Sequence, residues 1–197
     1  MGLNLGAQYG QTPLEEEEKE GLLIKSIATK EELDEFEQQN IEQALLWTMS
    51  RKMKPEVLFS EKFMCRLHKE MFGEVWKWGG KFRTSEKNLG IESWKISIDL
   101  KTLCDDALFW VKNEVYSPDE TAIRFKHRLV SIHCLPNGNG RHSRLLADLI
   151  AEKIFGVPPF SWGMKKDSTK SSRQDYLKAI KLADQNIYEE LIKFARS

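Results

Sequence analysis

One short segment of the chain, residues 133–144, combines residue types that bind phosphate with one that moves protons. It reads His-Cys-Leu-Pro-Asn-Gly-Asn-Gly-Arg-His-Ser-Arg. His133 is the kind of general base that works near neutral pH. Arg141 and Arg144 carry guanidinium groups, which pair phosphate oxygens through two parallel N–H donors. Because residues three apart share one face of a helix, both arginines are predicted to lie on the same side.

The backbone of the same segment favours an anion-binding turn. Pro136 and the two Asn-Gly steps prevent a helix from continuing and permit left-handed backbone conformations. Successive amides in such a turn converge on one point. A helix that begins near Asn139 or Gly140 adds its partial positive charge there. The segment therefore predicts a polyphosphate site beside a candidate base.

Three other interpretations of this segment are weaker. No GxxxxGK[ST] pattern is present, so the segment is not a P-loop. A metal nuclease using His133, Asn137 and His142 lacks the β-finger expected around it. A nucleophilic Cys134 paired with His133 is disfavoured because the side chains of adjacent residues point apart.

The charge of the chain is balanced overall but uneven locally. Lys and Arg number 30 and Asp and Glu number 30, which excludes a general nucleic-acid coat or a polybasic membrane binder. Residues 11–40 hold ten acidic and three basic residues. Residues 121–147 hold no acidic residue and five basic ones: Arg124, Lys126, Arg128, Arg141 and Arg144. The neutral total therefore conceals a cationic centre around the glycine-rich segment.

Helix start signals dominate the rest of the chain and predict a mainly α fold, a helical bundle with one small β-hairpin. Helices are expected at about 30–50 after the capping box at Thr29, at 61–72 after Ser60, from Asp99, and at 118–133 after Ser117-Pro118. Others are expected from Asn139 or Gly140 to before Gly156, and at about 169–183 and 186–195. Leu33, Phe36, Ile41, Leu45 and Thr48 are expected to form the apolar stripe of the first helix. The hairpin is expected within residues 81–98, around a turn at Asn88-Leu89-Gly90.

The domain organisation is predicted to be simple. Residues 1–28, with four consecutive glutamates, are expected to form an acidic N-terminal arm, and residues 29–197 a single domain. The chain has neither a run of 18 apolar residues nor a signal-peptide pattern, and its three cysteines fit neither a disulfide framework nor a zinc cluster. These features favour a cytoplasmic protein. His68 and His127 are expected to be surface or helix-face residues.

The segment from His133 to Arg141 resembles the signature of the Fic/Fido family, His-x-Phe-x-(Asp/Glu)-Gly-Asn-Gly-Arg, followed by a second arginine three residues later. Gly80 to Thr84, Gly-Lys-Phe-Arg-Thr, resembles the start of the family's target-binding flap. Within the family the chain resembles the small proteins called mobile mystery protein B. The resemblance implies an all-α Fic fold from about residue 30, and an enzyme that moves AMP from ATP to a hydroxyl side chain of a target protein.

The resemblance also assigns roles to single residues. It implies that His133 deprotonates the target hydroxyl, and that Arg141 and Arg144 hold the β- and γ-phosphates. Gly138, Asn139 and Gly140 would form the anion hole. The residues expected in the target-binding flap are Thr84, Ser85, Glu86 and Trp94.

Two positions depart from the family pattern. Asn137 stands where the family has an acidic Mg²⁺ ligand, and a neutral amide oxygen is a weaker ligand than a carboxylate. Leu135 replaces a phenylalanine. The family's inhibitory pattern, (Ser/Thr)-x-x-x-Glu-(Gly/Asn), has no match in the chain, so a separate small inhibitory protein is a possible partner. Another nucleotidyl or phosphoryl transfer on the same scaffold and a weakly active nucleotide-binding module stay open as alternatives.

Overall fold

Helices make up most of the part of the chain that the computed structural model describes, residues 19–163 and 170–197. They are α1 (Lys30–Met49), α2 (Pro55–Leu58), α3 (Glu61–Phe72), α4 (Ile96–Lys112), α5 (Pro118–Ile132), α6 (Asn139–Leu149), α7 (Lys170–Ala183) and α8 (Glu189–Arg196). A 3₁₀ turn at Ser93–Lys95 precedes α4, and a π-helical turn at Ile150–Ile154 extends α6. The predicted mainly α fold is confirmed.

The strongest start signals mark where three of these helices begin. Thr29 and Glu32 form a complete capping box at α1, with Glu32 N 3.2 Å from Thr29 Oγ1 and Thr29 N 3.1 Å from Glu32 Oε2. Ser60 caps α3 and Ser117 caps α5. The expected cap at Asp99 is wrong. Helix α4 already begins at Ile96, so Asp99 lies within its first turn.

The buried stripe of α1 differs from the predicted one. Phe36 and Leu45 are exposed, and the buried residues are Leu33, Glu37, Asn40, Ala44 and Thr48. Asn40 can be buried because both polar atoms of its side-chain amide have hydrogen-bond partners. Nδ2 donates to Glu70 O at 2.7 Å, and Oδ1 accepts from Glu74 N at 3.1 Å. Hydrogen bonds from a polar side chain of α1 thus hold this helix against α3. The predicted apolar stripe assigns that packing to Phe36 and Leu45.

Helices α5 and α6 form the base on which the glycine-rich segment rests. Helix α5 packs against both α4 and α6, and α1 packs on α3. The apolar side chains of α5 and α6 in the core are Ala122, Ile123, Phe125, Leu129, Ile132, Leu145, Leu146, Ala147 and Leu149. Residues 133–138, which connect these two buried helices, are therefore held at both ends by the core. Residues 133–140 are called the signature loop below.

The expected β-hairpin is absent from residues 81–98, all of which are described. Residues 81–95, called the flap below, form an extended loop that ends in the 3₁₀ turn. Side chains replace the cross-strand backbone ladder here. Arg83 donates to the carbonyls of Ser85 and Ile91, and the Glu86 carboxylate accepts from Ser93 N and Oγ. Of Trp94-Lys95-Ile96, expected in a strand, the first two residues lie in the 3₁₀ turn and Ile96 is the first residue of α4.

The described part of the expected N-terminal arm packs on the domain. Leu22 forms an isolated antiparallel bridge with Trp76, and Leu22 and Ile27 are buried. Residues 1–18, with the four consecutive glutamates, lie outside the described residues. The boundary at residue 29 stays a prediction. Among the described residues, no helix combines the length and the apolar character needed to cross a membrane.

Candidate active site

His133 is the C-cap of α5 and has a left-handed backbone, with φ 55° and ψ 52°. This conformation costs a non-glycine residue roughly 1–2 kcal/mol, so neighbouring groups must hold it in place. The side chain is 7% exposed. The turn at His133 ends α5 and directs the chain into the signature loop, which places the candidate base where the loop begins.

The environment of His133 keeps its ring neutral. Burial is the main cause that lowers the pKa of His133 to about 4, and the positive charges of Arg83 and Lys87 act in the same direction. A hydrogen bond with the backbone of Val130 acts in the opposite direction. At neutral pH the ring is therefore deprotonated and able to accept a proton, as a general base must be.

Arg83 holds the flap against His133. Its side chain is completely buried, with Nε donating to His133 O at 2.6 Å and Nη1 to Ser85 O at 2.8 Å. Nη2 donates to Ile91 O, and the backbone N of Arg83 donates to Cys134 O at 3.0 Å. Backbone carbonyls of the flap and of the signature loop thus accept hydrogen bonds from the same buried guanidinium group. Arg83 both fixes the strained His133 backbone and helps to keep the imidazole neutral.

Gly90 is the point of closest approach between the flap and the candidate base. A Cβ at this position would lie 2.5 Å from His133 Cβ, and φ is +100°. Both the contact and the backbone conformation therefore require glycine here. The turn expected at Asn88-Leu89-Gly90 exists, and it places the flap directly against His133.

The signature loop is stabilised by its own side chains. Asn139 closes it with two hydrogen bonds: Nδ2 donates to Leu135 O at 2.8 Å, and Oδ1 accepts from Leu135 N at 3.0 Å. Gly138, with φ 74°, is the N-cap of α6, and a Cβ there would lie 2.6 Å from Phe72 Cε2. The side chain of Asn139 is thus used inside the protein, and only its backbone amide can belong to an anion hole.

The side of the signature loop that faces away from Phe72 is open at Gly140. A Cβ at Gly140 would meet no atom within 4 Å. Gly140 lies in the first turn of α6, where the backbone N–H groups lack helical partners and the helix dipole is positive. The open space at Gly140 therefore adjoins the part of the loop that is best suited to an anion.

The two arginines of α6 have different partners. The Arg141 Nη1 lies 2.6 Å from Oε2 of the buried Glu37, whose Oε1 accepts from Trp76 Nε1 at 2.7 Å. The side chain of Arg141 remains 43% exposed and lies over the Phe72 ring. A carboxylate thus already offsets part of the Arg141 charge and occupies one of its donors.

Arg144 instead lies among aromatic rings. Its guanidinium carbon is 4.6 Å from the centroid of Tyr176 and 5.6 Å from that of Trp162. Its Nε is buried without a hydrogen-bond partner, and no ion pair of Arg144 is found within the described ranges. Buried Lys126 donates to Tyr176 Oη at 2.5 Å, which adds a second cation beside the same ring. Among the described residues Arg144 thus has no carboxylate within ion-pair distance, whereas Arg141 has Glu37, and the Asp148 carboxylate acts on Arg144 only at longer range.

The donor set for a metal ion is small. Asn137 Oδ1 accepts a hydrogen bond from Gly138 N at 2.5 Å, so this candidate ligand faces back into the loop. The described residues contain no group of three or more His, Cys, Asp or Glu side chains that could hold a metal ion. A single neutral oxygen does not fit a protein-held Mg²⁺ site, because Mg²⁺ in proteins favours carboxylates.

The expected target-binding residues lie along the outside of the flap. Thr84, Glu86 and Trp94 are exposed, Trp94 by 70%, and Ser85 is half-buried. His68 and His127 lie on helices, but the alternative of a surface position is wrong: both face the interior, where each has hydrogen-bond partners. The sequence argument therefore missed the roles of four residues that the structure places around the site: Glu37, His68, Arg83 and Gly90. Only two of them lay in patterns that the sequence showed: Arg83 in the segment Gly80 to Thr84, and Gly90 in the expected turn Asn88-Leu89-Gly90.

Comparison with known proteins gives the same fold. Residues 58–151, just under half of the chain, match the Fic/DOC family. Fic-1 from C. elegans superposes with a TM-score of 0.64 at 21% identity, over 80% of this chain and 46% of that chain. The chain thus spans about half the length of Fic-1.

Bacterial structures match over more of their own length. BepC from Bartonella tribocorum, with bound AMPPNP, gives a TM-score of 0.67 at 14% identity, over 92% of this chain and 97% of that chain. The N-terminal Fic domain of Bep8 from Bartonella sp. 1-1C gives 0.64 at 16% identity, over 87% and 88%. Similarity at these identities establishes the fold. With the sequence match across α3 to α6, it confirms the resemblance seen in residues 133–144 to the Fic/DOC family, which residues 58–151 match.

Proposed function

We propose that the protein transfers AMP from ATP to a hydroxyl side chain of a target protein. One observation carries the proposal. A buried imidazole that is neutral at pH 7, His133, stands at the start of a loop whose far end is the open N-terminus of α6. A proton acceptor next to an anion site is the pair of functions that such a transfer needs.

The reaction balances with residues of this chain. His133 takes the proton of the target hydroxyl, and the oxygen attacks the α-phosphorus of ATP. The bond from that phosphorus to the β-phosphate bridging oxygen breaks, so pyrophosphate leaves and a phosphodiester forms. The amides of Asn139 and Gly140 and the positive end of α6 offset the charge that develops on the phosphate oxygens. The Gly138 amide joins them when it exchanges Asn137 Oδ1 for a phosphate oxygen. Arg144, together with Arg141, orients the β- and γ-phosphates.

Two further features support ATP and a protein target. The BepC structure, which shares this fold, contains AMPPNP, an ATP analogue. The flap, whose Arg83 and Gly90 contact His133, exposes Thr84, Glu86 and Trp94, and an extended target segment could dock there. Neither a nucleic acid nor a membrane is part of the proposal. We place the reaction in the cytoplasm, where ATP is available and the three free cysteines stay reduced.

Mg²⁺ enters the proposal with the nucleotide. The signature loop contributes one amide oxygen, so the ion would be carried mainly by the phosphates of ATP. No step of the mechanism above depends on it.

A second candidate is a weakly active nucleotide-binding module that a separate inhibitory protein controls. Asn137 favours it, because its side-chain oxygen engages the Gly138 amide at 2.5 Å instead of facing the open side. Phosphoryl transfer from a nucleotide bound in the inverted orientation is a third outcome that the same experiment detects.

The test uses the wild type and His133→Ala, each incubated with a cell lysate and with ATP labelled at the α- or the γ-phosphate, with and without Mg²⁺. Label from the α-position only, absent with His133→Ala, supports AMP transfer. Label from the γ-position only shows phosphoryl transfer. No label despite ATP binding shows the weakly active module. His127→Gln is the matched control, because His127 is also a buried histidine of α5 but bonds Asp184.

A further inference from the structure

His68 connects the two segments that meet at the site. It lies on α3 and is completely buried. Its Nδ1 accepts from Gly80 N at 3.0 Å, and its Nε2 lies 3.2 Å from Asn137 O. We infer that His68 is a positioning residue that fixes the signature loop to the base of the flap, and thereby aims the loop's amides at the nucleotide phosphates; this inference rests on the proposed function.

The two hydrogen bonds define the protonation state of the ring. A backbone N–H only donates, so Nδ1 must carry a lone pair facing Gly80. The proton of the neutral ring is therefore on Nε2, which donates to the carbonyl of Asn137. Burial, together with the nearby His142 and Arg141, places the pKa of His68 well below its usual value, although the Asn137 bond acts in the opposite direction. The bridge thus persists across the neutral pH range.

The bond to Asn137 controls more than that residue. The carbonyl of Asn137 and the N–H of Gly138 belong to one planar peptide unit, in which they point in opposite directions. A carbonyl held towards His68 therefore turns the Gly138 N–H away from α3, towards the side chain of Asn137, whose Oδ1 accepts from it at 2.5 Å. A phosphate oxygen of the nucleotide would take the place of that amide oxygen. His68 in this way determines the direction of one donor of the expected anion hole without touching the nucleotide.

The ring itself has little freedom to move. Its centroid lies 4.8 Å from that of Phe72, 5.9 Å from that of Trp78 and 5.5 Å from that of His142. Two glycines also pack against α3: Gly80, which is one partner of His68, and Gly138, which follows the other partner, Asn137. A Cβ at Gly80 would lie 2.7 Å from Lys69 Cβ, and one at Gly138 would lie 2.6 Å from Phe72 Cε2. One rigid helix therefore carries the base of the flap and the signature loop together.

Two substitutions separate the two hydrogen bonds. His68→Gln keeps a donor near the Nε2 position, for Asn137 O. His68→Asn keeps an acceptor near the Nδ1 position, for Gly80 N. His127→Gln is the control, because His127 is also a buried histidine on a helix but bonds Asp184 instead of the signature loop or the flap. Each variant is checked for thermal unfolding, for ATP affinity, for the KM and kcat of AMP transfer, and for backbone hydrogen exchange of peptides spanning 134–141 and 78–84.

The expected result is a split between the variants. His68→Asn raises the KM for ATP and weakens its binding by about fivefold, the equivalent of one net hydrogen bond, and speeds exchange in 134–141. His68→Gln stays within about twofold in ATP affinity and speeds exchange mainly in 78–84. Equal effects of Gln and Asn, or lower melting temperatures with unchanged KM and loop exchange, would overturn the inference. If the wild type transfers no AMP, the proposed function fails, while loop exchange and ATP affinity still decide the role of His68.

Discussion

The signature loop, which begins with His133, and the flap, which contacts His133, are held in place in different ways. The loop is held by buried groups: Asn139 closes it, His68 holds its carbonyl at Asn137, and Gly138 packs on Phe72. The distal flap is held through the exposed Glu86 carboxylate, and its Trp94 is 70% exposed. The comparison teaches that the proposed nucleotide side is built into the core, whereas the proposed target side lies on the surface and can adapt to a partner.

Arg83 is the exception that joins the two regions. It is part of the flap in sequence, yet its side chain is as buried as the loop and donates to His133 O. The flap is therefore rigid at its base and exposed beyond Arg83. Four predictions test this contrast between a preformed loop and an exposed flap, from the largest expected effect to the smallest.

The largest effect is expected from the arginines of α6. Arg144→Ala should weaken ATP binding by about 10- to 100-fold, the range for a lost charge-assisted hydrogen bond. Arg141→Ala should have a smaller effect, because Glu37 already offsets part of the Arg141 charge. Calorimetric titration of both variants with ATP measures the difference. Equal losses, or a larger loss with Arg141→Ala, would show that the contacts with Glu37 and Tyr176 do not set the two contributions.

Two glycines of the same loop should respond oppositely to alanine. Gly138→Ala should lower the free energy of unfolding by about 1–2 kcal/mol or more, since φ is +74° and Phe72 blocks the methyl group. Gly140→Ala should keep or raise stability, because alanine is the better helix former and its Cβ would meet no atom within 4 Å. It should nevertheless weaken ATP binding by narrowing the open side of the loop. Urea unfolding together with ATP titration measures both effects, and a destabilised Gly140→Ala would contradict this account of the loop.

The pH dependence of the rate reports on the burial of His133. Protonation removes the base, so the rate falls as pH falls through the pKa of His133, which lies at about 4. AMP transfer should therefore be nearly as fast at pH 5.5 as at pH 7.5. A histidine with the ordinary pKa of about 6.5 would lose roughly tenfold over the same range. Substituting Arg83 with Met should move the acidic limb to higher pH, because the Arg83 charge contributes to the low value. A wild-type limb near pH 6.5 would show that His133 is solvated during the reaction.

The smallest effect is expected at the tip of the flap. Glu86→Gln keeps an acceptor for Ser93 but removes an exposed charge, so the melting temperature should not change measurably. Hydrogen exchange should increase only in peptides covering 84–95. If exchange also increased across residues 134–141, the flap and the loop would not be independent beyond Arg83.

Local signals in the sequence predicted the helices well, because their causes lie within a few residues. The cap at Thr29, Ser117 followed by Pro118, and the glycine-rich break after Ile132 each act on their own neighbours. The signature loop was predictable for the same reason. Gly138 has the left-handed backbone that an Asn-Gly step permits, and α6 begins at Asn139. Even the turn that brings Gly90 to His133 was marked by local sequence.

What the sequence did not reveal depends on contacts between distant residues. Glu37 and Asn40 are buried in α1 only because Trp76, Arg141 and the end of α3 supply their partners. His68 is buried for the same kind of reason, with partners 12 and 69 residues away. The β-favouring residues of the flap formed no strands, since Arg83 and Glu86 satisfy backbone groups that a ladder would otherwise pair. Periodicity and propensity describe none of these partners.

The most direct test of a preformed nucleotide site is calorimetric titration of the wild-type protein with ATP, ADP and AMP in the absence of any target protein. The account predicts that ATP binds without a partner and that affinity falls from ATP to ADP to AMP, because Arg144, Arg141 and the N-terminus of α6 would contact the phosphates. Arg144→Ala should reduce this dependence on phosphate number. Absence of ATP binding, or equal affinity for the three nucleotides, would contradict the central claim.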